Sequence, residues 1–187
     1  KKASHVCGAG YSDHIDVGTG SGLALKFVMG SWVRCRCIEL LPEKGERARE
    51  LLPNIDLTIG DGAQLPYESA SAELVTCFET LEHLTDDVLE RVVGELRRVT
   101  SHRIVITVPW EPWFWLGNLG RGKYLRPGTF HRFPGNHFEH VQHFNRDRIT
   151  TLLEPHVERV VVHTSFPWLV VESCTIADCR CIERWSI

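Results

Sequence analysis

The run Ile15-Asp16-Val17-Gly18-Thr19-Gly20-Ser21-Gly22 constrains this chain more than any other stretch. A short β-branched segment enters three glycines spaced two apart, and an apolar stretch, Leu23 to Met29, follows at once. Glycine lets a backbone turn sharply and approach a ligand with no Cβ in the way, while the free amides of a following helix start face whatever binds there. A strand, a glycine turn and a helix in that order make a βα unit, and the rest of the chain has to supply a sheet and a helical layer for it to pack into.

It does so by alternation. Short apolar or β-branched runs fall at Ile15 to Val17, Trp32 to Glu39, Ile55 to Gly60, Leu74 to Phe78, Ile104 to Val108, Val157 to Thr164 and Trp168 to Cys174, with stretches of helical period between most of them. Pro42 suits a first helical turn, and Pro53 ends the helix that carries Ala48, Leu51 and Leu52. Thr85, followed by Asp86 and Asp87, can cap a helix with Leu89, Val92, Val93, Leu96 and Val99 on one face. Asn145 can cap a shorter helix carrying Ile149, Leu152 and Leu153. Only Ser165, Phe166 and Pro167 separate the last two strands, too little for a crossover, so they form an antiparallel hairpin. The expected fold class is α/β: a Rossmann-like three-layer sandwich on a seven-stranded, mostly parallel sheet whose last strand is antiparallel.

At 187 residues, with 43% apolar and 24% charged residues, the chain reads as a single domain, 1–187. Within it, 14–108 is the cofactor-binding half, 109–147 a substrate lid insertion and 148–187 a C-terminal helix and β-hairpin. A net charge of −3, with both signs mixed along the chain, leaves no basic footprint for a phosphate backbone, so no nucleic-acid partner is expected. Seven scattered cysteines and the lack of a signal-peptide core after Lys1-Lys2-Ala3-Ser4 point to the reducing cytoplasm. The single methionine is Met29, which suggests that the sequence is a trimmed product of a longer one.

Glu39 ends the second strand, 21 positions after Gly18, where a carboxylate can accept hydrogen bonds from both ribose hydroxyls of a nucleoside. The glycine spacing selects the nucleotide. G-x-G-x-x-G would need a small residue at Leu23, whereas G-x-G-x-G is satisfied by Gly18, Gly20 and Gly22, which disfavours a dinucleotide. A Gly-Lys-Ser/Thr phosphate loop is absent from the sequence, so nucleotide hydrolysis has no support.

With these features the sequence resembles the class I S-adenosylmethionine-dependent methyltransferases, in particular the branch of small-molecule and quinone-biosynthesis enzymes, from about His14 to Trp168. The carriers are the glycine turn, Ile38-Glu39-Leu40-Leu41-Pro42, Gly60-Asp61-Gly62-Ala63-Gln64-Leu65-Pro66 and Cys77-Phe78-Glu79-Thr80-Leu81-Glu82-His83-Leu84. The resemblance implies S-adenosylmethionine as cofactor, with S-adenosylhomocysteine as product. It further implies that Asp16, Gly18, Gly20 and Gly22 shape the methionine end of the site, Glu39 holds the ribose and Leu40 packs on the adenine. Asp61 would accept from the adenine amino group beside Gly62, and Phe78 and Glu79 would border the reacting methyl. Asp13, His14 and the pair Ser101-His102 depart from the family pattern.

The segment from Pro109 to Asp147 leaves the carboxyl end of the fifth strand and holds three of six tryptophans, five of eight phenylalanines and four of ten histidines. A long connection without regular structure on that side of an open sheet reads as a lid over the acceptor. Trp110, Trp113, Arg121 and Tyr124 are the substrate-binding candidates, suited to an aromatic or lipid-like acid. His140 and His143 are the candidate bases for removing a proton from a hydroxyl or acidic carbon, with Glu139 placed to orient one of them. His137, His140 and His143, three histidines within seven positions beside Glu139, could ligate zinc or iron, but the ligand pattern of metal-using relatives is not visible here, so no metal ligands are assigned. The function expected is S-adenosylmethionine-dependent O- or C-methylation of a small organic acceptor. The alternative is a non-catalytic, S-adenosylmethionine-binding regulatory module. Membrane-surface contact through the lid aromatics and a homo-oligomer are left open.

Overall fold

The structure, a computed structural model, describes residues 11, 13–29, 34–111, 113–120 and 140–176. Among these residues the strands are β1 His14–Val17, β2 Arg36–Glu39, β3 Asp56–Ile59, β4 Ala72–Phe78, β5 Thr100–Pro109, β6 Arg159–Ser165 and β7 Trp168–Cys174. The helices are α1 Leu23–Met29, α2 Pro42–Leu51, α3 Asp86–Val99, α4 Trp113–Gly120 and α5 Arg146–Leu153, with a 3-10 turn at Leu81–His83. The strands form one sheet in the order β3-β2-β1-β4-β5-β7-β6. Strands β1 to β5 pair in parallel, and β7 runs antiparallel to both β5 and β6. The α/β class and the reversed strand agree with the sequence, and β6 takes in Ser165, leaving a link of only two residues.

Helices cover both faces, so the central strands bury both sets of alternating side chains. In β4, Val75 and Cys77 join the core under α3 and α5, while Leu74 and Phe78 join the one under α1 and α2. Leu89, Val92, Val93, Leu96 and Val99 of α3 are all buried, one apolar stripe at about 1.5–3 kcal/mol for each large side chain taken from water. Asn145 caps α5 as expected, its side chain accepting from Arg148 N at 2.8 Å. Thr85 begins α3 without a side-chain cap, because its hydroxyl donates to Asp87 Oδ1 at 2.7 Å instead.

Three segments differ from the sequence expectation. Strand β5 starts at Thr100, earlier than Ile104, because Thr100 pairs with Ala72 and Ser101 Oγ donates to Ala72 O at 2.9 Å. Where 109–147 reads as irregular, Trp113–Gly120 forms α4; residues 121–139 lie outside the described set. The polar start of β1 is accommodated by a buried chain of hydrogen bonds. His14 Nε2 meets Thr76 Oγ1 at 2.8 Å, and the Thr76 hydroxyl donates to Asp16 Oδ1, so the ring nitrogen must be the donor to Thr76. Burial pushes His14 down to about 4, which keeps the ring neutral.

Candidate active site

The carboxyl ends of β1, β2 and β4 open onto a cavity of about 550 Å³. Gly18, Gly20, Glu39, Leu40, Asp61 and Gly62 line one side of it, and Glu79, Thr80 and His83 the other. Strand β1 lies between β2 and β4, the point where the chain's course across the sheet reverses and where open α/β sheets bind their ligands. A hollow of about 520 Å³ lined by Asp13, His14, Arg36 and Asp56 lies at the opposite ends of the strands and contains none of the glycine-turn residues.

The glycine turn is held by geometry that other residues resist. Gly18 has φ +75°, and a Cβ there would stand 2.3 Å from Thr80 Oγ1. Gly22 has φ +79° and closes against Ala48 and Leu52 of the α2 region. Gly18 N and Thr19 N both donate to Ile38 O, at 2.9 and 3.1 Å, which ties the turn to the end of β2. That bond places Glu39 beside the turn. Glu39 is 6% exposed, with Oε2 accepting from Gly20 N at 2.7 Å and Oε1 from Leu41 N at 3.0 Å. Each oxygen keeps a second acceptor site, so two vicinal hydroxyls can still be received. Leu40 is 63% exposed at the cavity edge, an apolar surface open for a flat ring. Asp61 Oδ1 accepts from Ala63 N at 2.8 Å, which fixes the carboxylate at the rim. In volume, backbone clearance and acceptor placement, this wall fits an adenosine-bearing cofactor.

Asp16, Gly22 and Phe78 are not part of the cavity lining. Asp16 is buried beneath the turn and accepts from Thr19 Oγ1 at 2.8 Å as well as from Thr76, and burial raises its carboxyl to about 6. It shapes the turn from below. Phe78 points into the core with Leu25 and Leu52.

Glu79 is the pivot of the other wall. It sits at φ +51°, a conformation costly for a residue with a Cβ and typical of sites where the surroundings dictate the backbone. Its carboxylate accepts from Thr107 Oγ1 at 2.8 Å and from Trp168 Nε1 at 2.7 Å. Burial raises its affinity for a proton against both bonds. Trp168 and Thr107 were not singled out by sequence. Trp168, the first residue of a strand after a tight link, faces the same sheet end as Glu79 only because β7 inserts beside β5.

His140 is brought to this wall and His143 is not. Val141 N and Gln142 N donate to Glu82 O at 2.8 and 2.9 Å, and Gln142 Nε2 donates to Leu84 O at 2.9 Å, tying the His140 segment to the 3-10 turn. The His140 ring lies 5.1 Å from that of His83 and 5.6 Å from that of Phe114, and its side chain is 6% exposed. His143 is exposed. Of the substrate candidates, Trp110 bridges to Phe144 and stacks near Trp113 at 6.0 Å, and neither tryptophan lines the cavity. Phe114 of α4 packs between His140 and Trp168, with ring centroids 5.6 and 5.8 Å away. Arg121, Tyr124 and Glu139 lie outside the described residues.

Comparison with known proteins agrees with this geometry. Residues 15–103 match the model of a methyltransferase-domain family. Norajmaline N-methyltransferase of Rauvolfia serpentina is 29% identical over 94 residues, covering 46% of this chain and 32% of the relative, so the match spans about a third of the relative's length. An S-adenosylmethionine-dependent methyltransferase from Thermotoga maritima superposes with TM-score 0.69 at 13% identity, over 94% of this chain and 87% of the other. The magnesium protoporphyrin IX methyltransferase of Synechocystis PCC 6803, solved with bound S-adenosylhomocysteine, superposes with TM-score 0.59 at 15% identity, over 87% of this chain and 74% of that one. At such identities the structural likeness is one of fold. Family match, sheet order and glycine turn agree with one another: residues 15–103 match a methyltransferase-domain family, and the seven-stranded sheet with its one reversed strand has the Rossmann-like methyltransferase fold.

Proposed function

We propose that the protein transfers a methyl group from S-adenosylmethionine to a small organic acceptor. The observation that carries this reading is the cavity wall itself, where a positive-φ glycine turn, a buried Glu39 and a rim Asp61 surround space for one adenosine-sized ligand. Glu39 would hold the ribose, Leu40 the adenine face, and Asp61 with the Gly62 backbone the adenine edge. The Gly18 to Gly20 turn would lie along the methionine portion, with Asp16 keeping that turn in place. When bound, the sulfonium cofactor supplies an electrophilic methyl, so the protein's part is to align the acceptor and exclude water. Glu79, held rigid by Thr107 and Trp168, and the aromatic edge of Phe114 and Trp168 would border the acceptor. That edge favours an acceptor with an aromatic or other flat apolar part. A cytoplasmic location is proposed with it, supported by buried free thiols at Cys35, Cys37, Cys77 and Cys174.

Titration with S-adenosylhomocysteine tests the site. Glu39→Ala should weaken binding by about tenfold or more, because a charge-assisted acceptor is lost. No binding by the wild-type chain would reject the reading. Binding without turnover across a broad set of acceptors would favour a regulatory module.

A further inference from the structure

The acceptor wall buries more acid than its described neighbours neutralise. Glu82 is 1% exposed, and among the described residues neither of its carboxylate oxygens has a hydrogen-bond partner. Glu111, 8% exposed, has the same deficit. Acids this deep are retained where a cation or a metal compensates them.

Two imidazoles converge on the same point. His83 follows Glu82 in the 3-10 turn, and His140 arrives through the backbone bonds from Val141 and Gln142 to Glu82 O. One ligand atom from each of Glu82, His83 and His140 lies within 4.8 Å of the other two. A divalent ion held at about 2.1 Å draws such atoms to about 3–4 Å from one another, a change that small side-chain rotations supply. Glu111 Oε1 stands 3.5 Å from His140 Nδ1, the place of an outer carboxylate that orients a ligating ring. The His83 side chain is 40% exposed and lines the cavity, so an ion there would keep open positions towards it.

We propose that Glu82, His83 and His140 bind one divalent transition-metal cation where His83 lines the cavity, with its remaining positions open to an oxygen of the acceptor. One carboxylate and two imidazoles without a thiolate suit zinc, manganese or ferrous iron. The acceptor class this selects carries a hydroxyl or carboxylate oxygen able to bind the ion, and a cation at that oxygen makes its proton easier to lose. Only this last role rests on the methyl-transfer reading; the ion site stands without it. His140 is then a ligand and not a proton acceptor.

The test is calorimetric titration of the chelator-treated chain with zinc and manganese, with cobalt as a visible-absorption probe, beside a separate S-adenosylhomocysteine titration. One equivalent should bind with micromolar or tighter affinity. His140→Gln and His83→Ala should each weaken it at least tenfold, while His156→Gln, a histidine beside Glu90 and away from the site, should leave it unchanged. Glu82→Gln should lose the ion yet melt at a higher temperature than metal-free wild type, which separates lost ligation from a damaged fold. Less than one equivalent of every cation in a wild-type chain that still binds S-adenosylhomocysteine overturns the site, as does unchanged affinity in both histidine variants. Metal uptake without S-adenosylhomocysteine binding supports the site and removes the methyltransferase reading instead.

Discussion

Strand β7 and the 3-10 turn after β4 treat buried acids in opposite ways. Away from the cavity, Glu172 of β7 is fully buried between Arg103 of β5 and His163 of β6, ion-paired with the guanidinium and 3.0 Å from His163 Nε2. At the cavity edge, Glu82 is as deeply buried, and among the described residues its carboxylate has no hydrogen-bond partner, with His83 at 4.0 Å and His140 within 4.8 Å. Asp16 lies between these extremes, buried but satisfied by two hydroxyls. The first arrangement is closed and serves the fold, whereas the second is completed only by something that binds. Burial by itself does not separate structural from functional acids; the identity of the compensating group does.

Removing Arg103 should have the largest effect on this contrast. Arg103→Met leaves Glu172 charged and buried, and should destabilise the protein by about 3–5 kcal/mol in urea unfolding. Adding Glu172→Gln should recover most of the loss, and no recovery would mean that the pair is not the cause. A smaller effect is expected at Asp16, whose carboxyl is raised from 3.8 to about 6 by burial. The folded state therefore holds a proton that the unfolded state releases, so stability is greatest below about pH 4 for this group and falls as pH rises through 6. Its share is about 2–3 kcal/mol, at about 1.4 kcal/mol per pH unit. Asp16→Asn should flatten the stability profile between pH 4 and 6, and an unchanged slope would show that the carboxyl titrates normally. The smallest effect belongs to an exposed pair. Arg91→Ala separates Arg91 from Asp87, 4.0 Å apart on α3, and should leave the urea unfolding midpoint unchanged within error, since water screens both charges. A larger change would undo the claim that burial sets the cost.

The cofactor wall was legible in the sequence because its parts are local. Gly18, Gly20 and Glu39 act through backbone turns and strand ends, and parallel pairing of β1 with β2 brings them together without any distant choice. The acceptor wall was legible only in pieces. His140 could be marked as a candidate, but its partners Glu82, His83 and Glu111 come from two other segments, and the Glu82-His83 pair reads in sequence as an ordinary helix approach.

The α/β class, the reversed last strand and the glycine turn follow from the order of residues, because periodicity, a link too short for a crossover and glycine's backbone freedom all act over a few residues. Packing of distant segments sets β7 between β5 and β6, brings Trp168 to Glu79, and gathers two histidines and a buried carboxylate at one point. Those are contacts between distant segments, fixed by which faces the packed core brings together, and no local pattern encodes them.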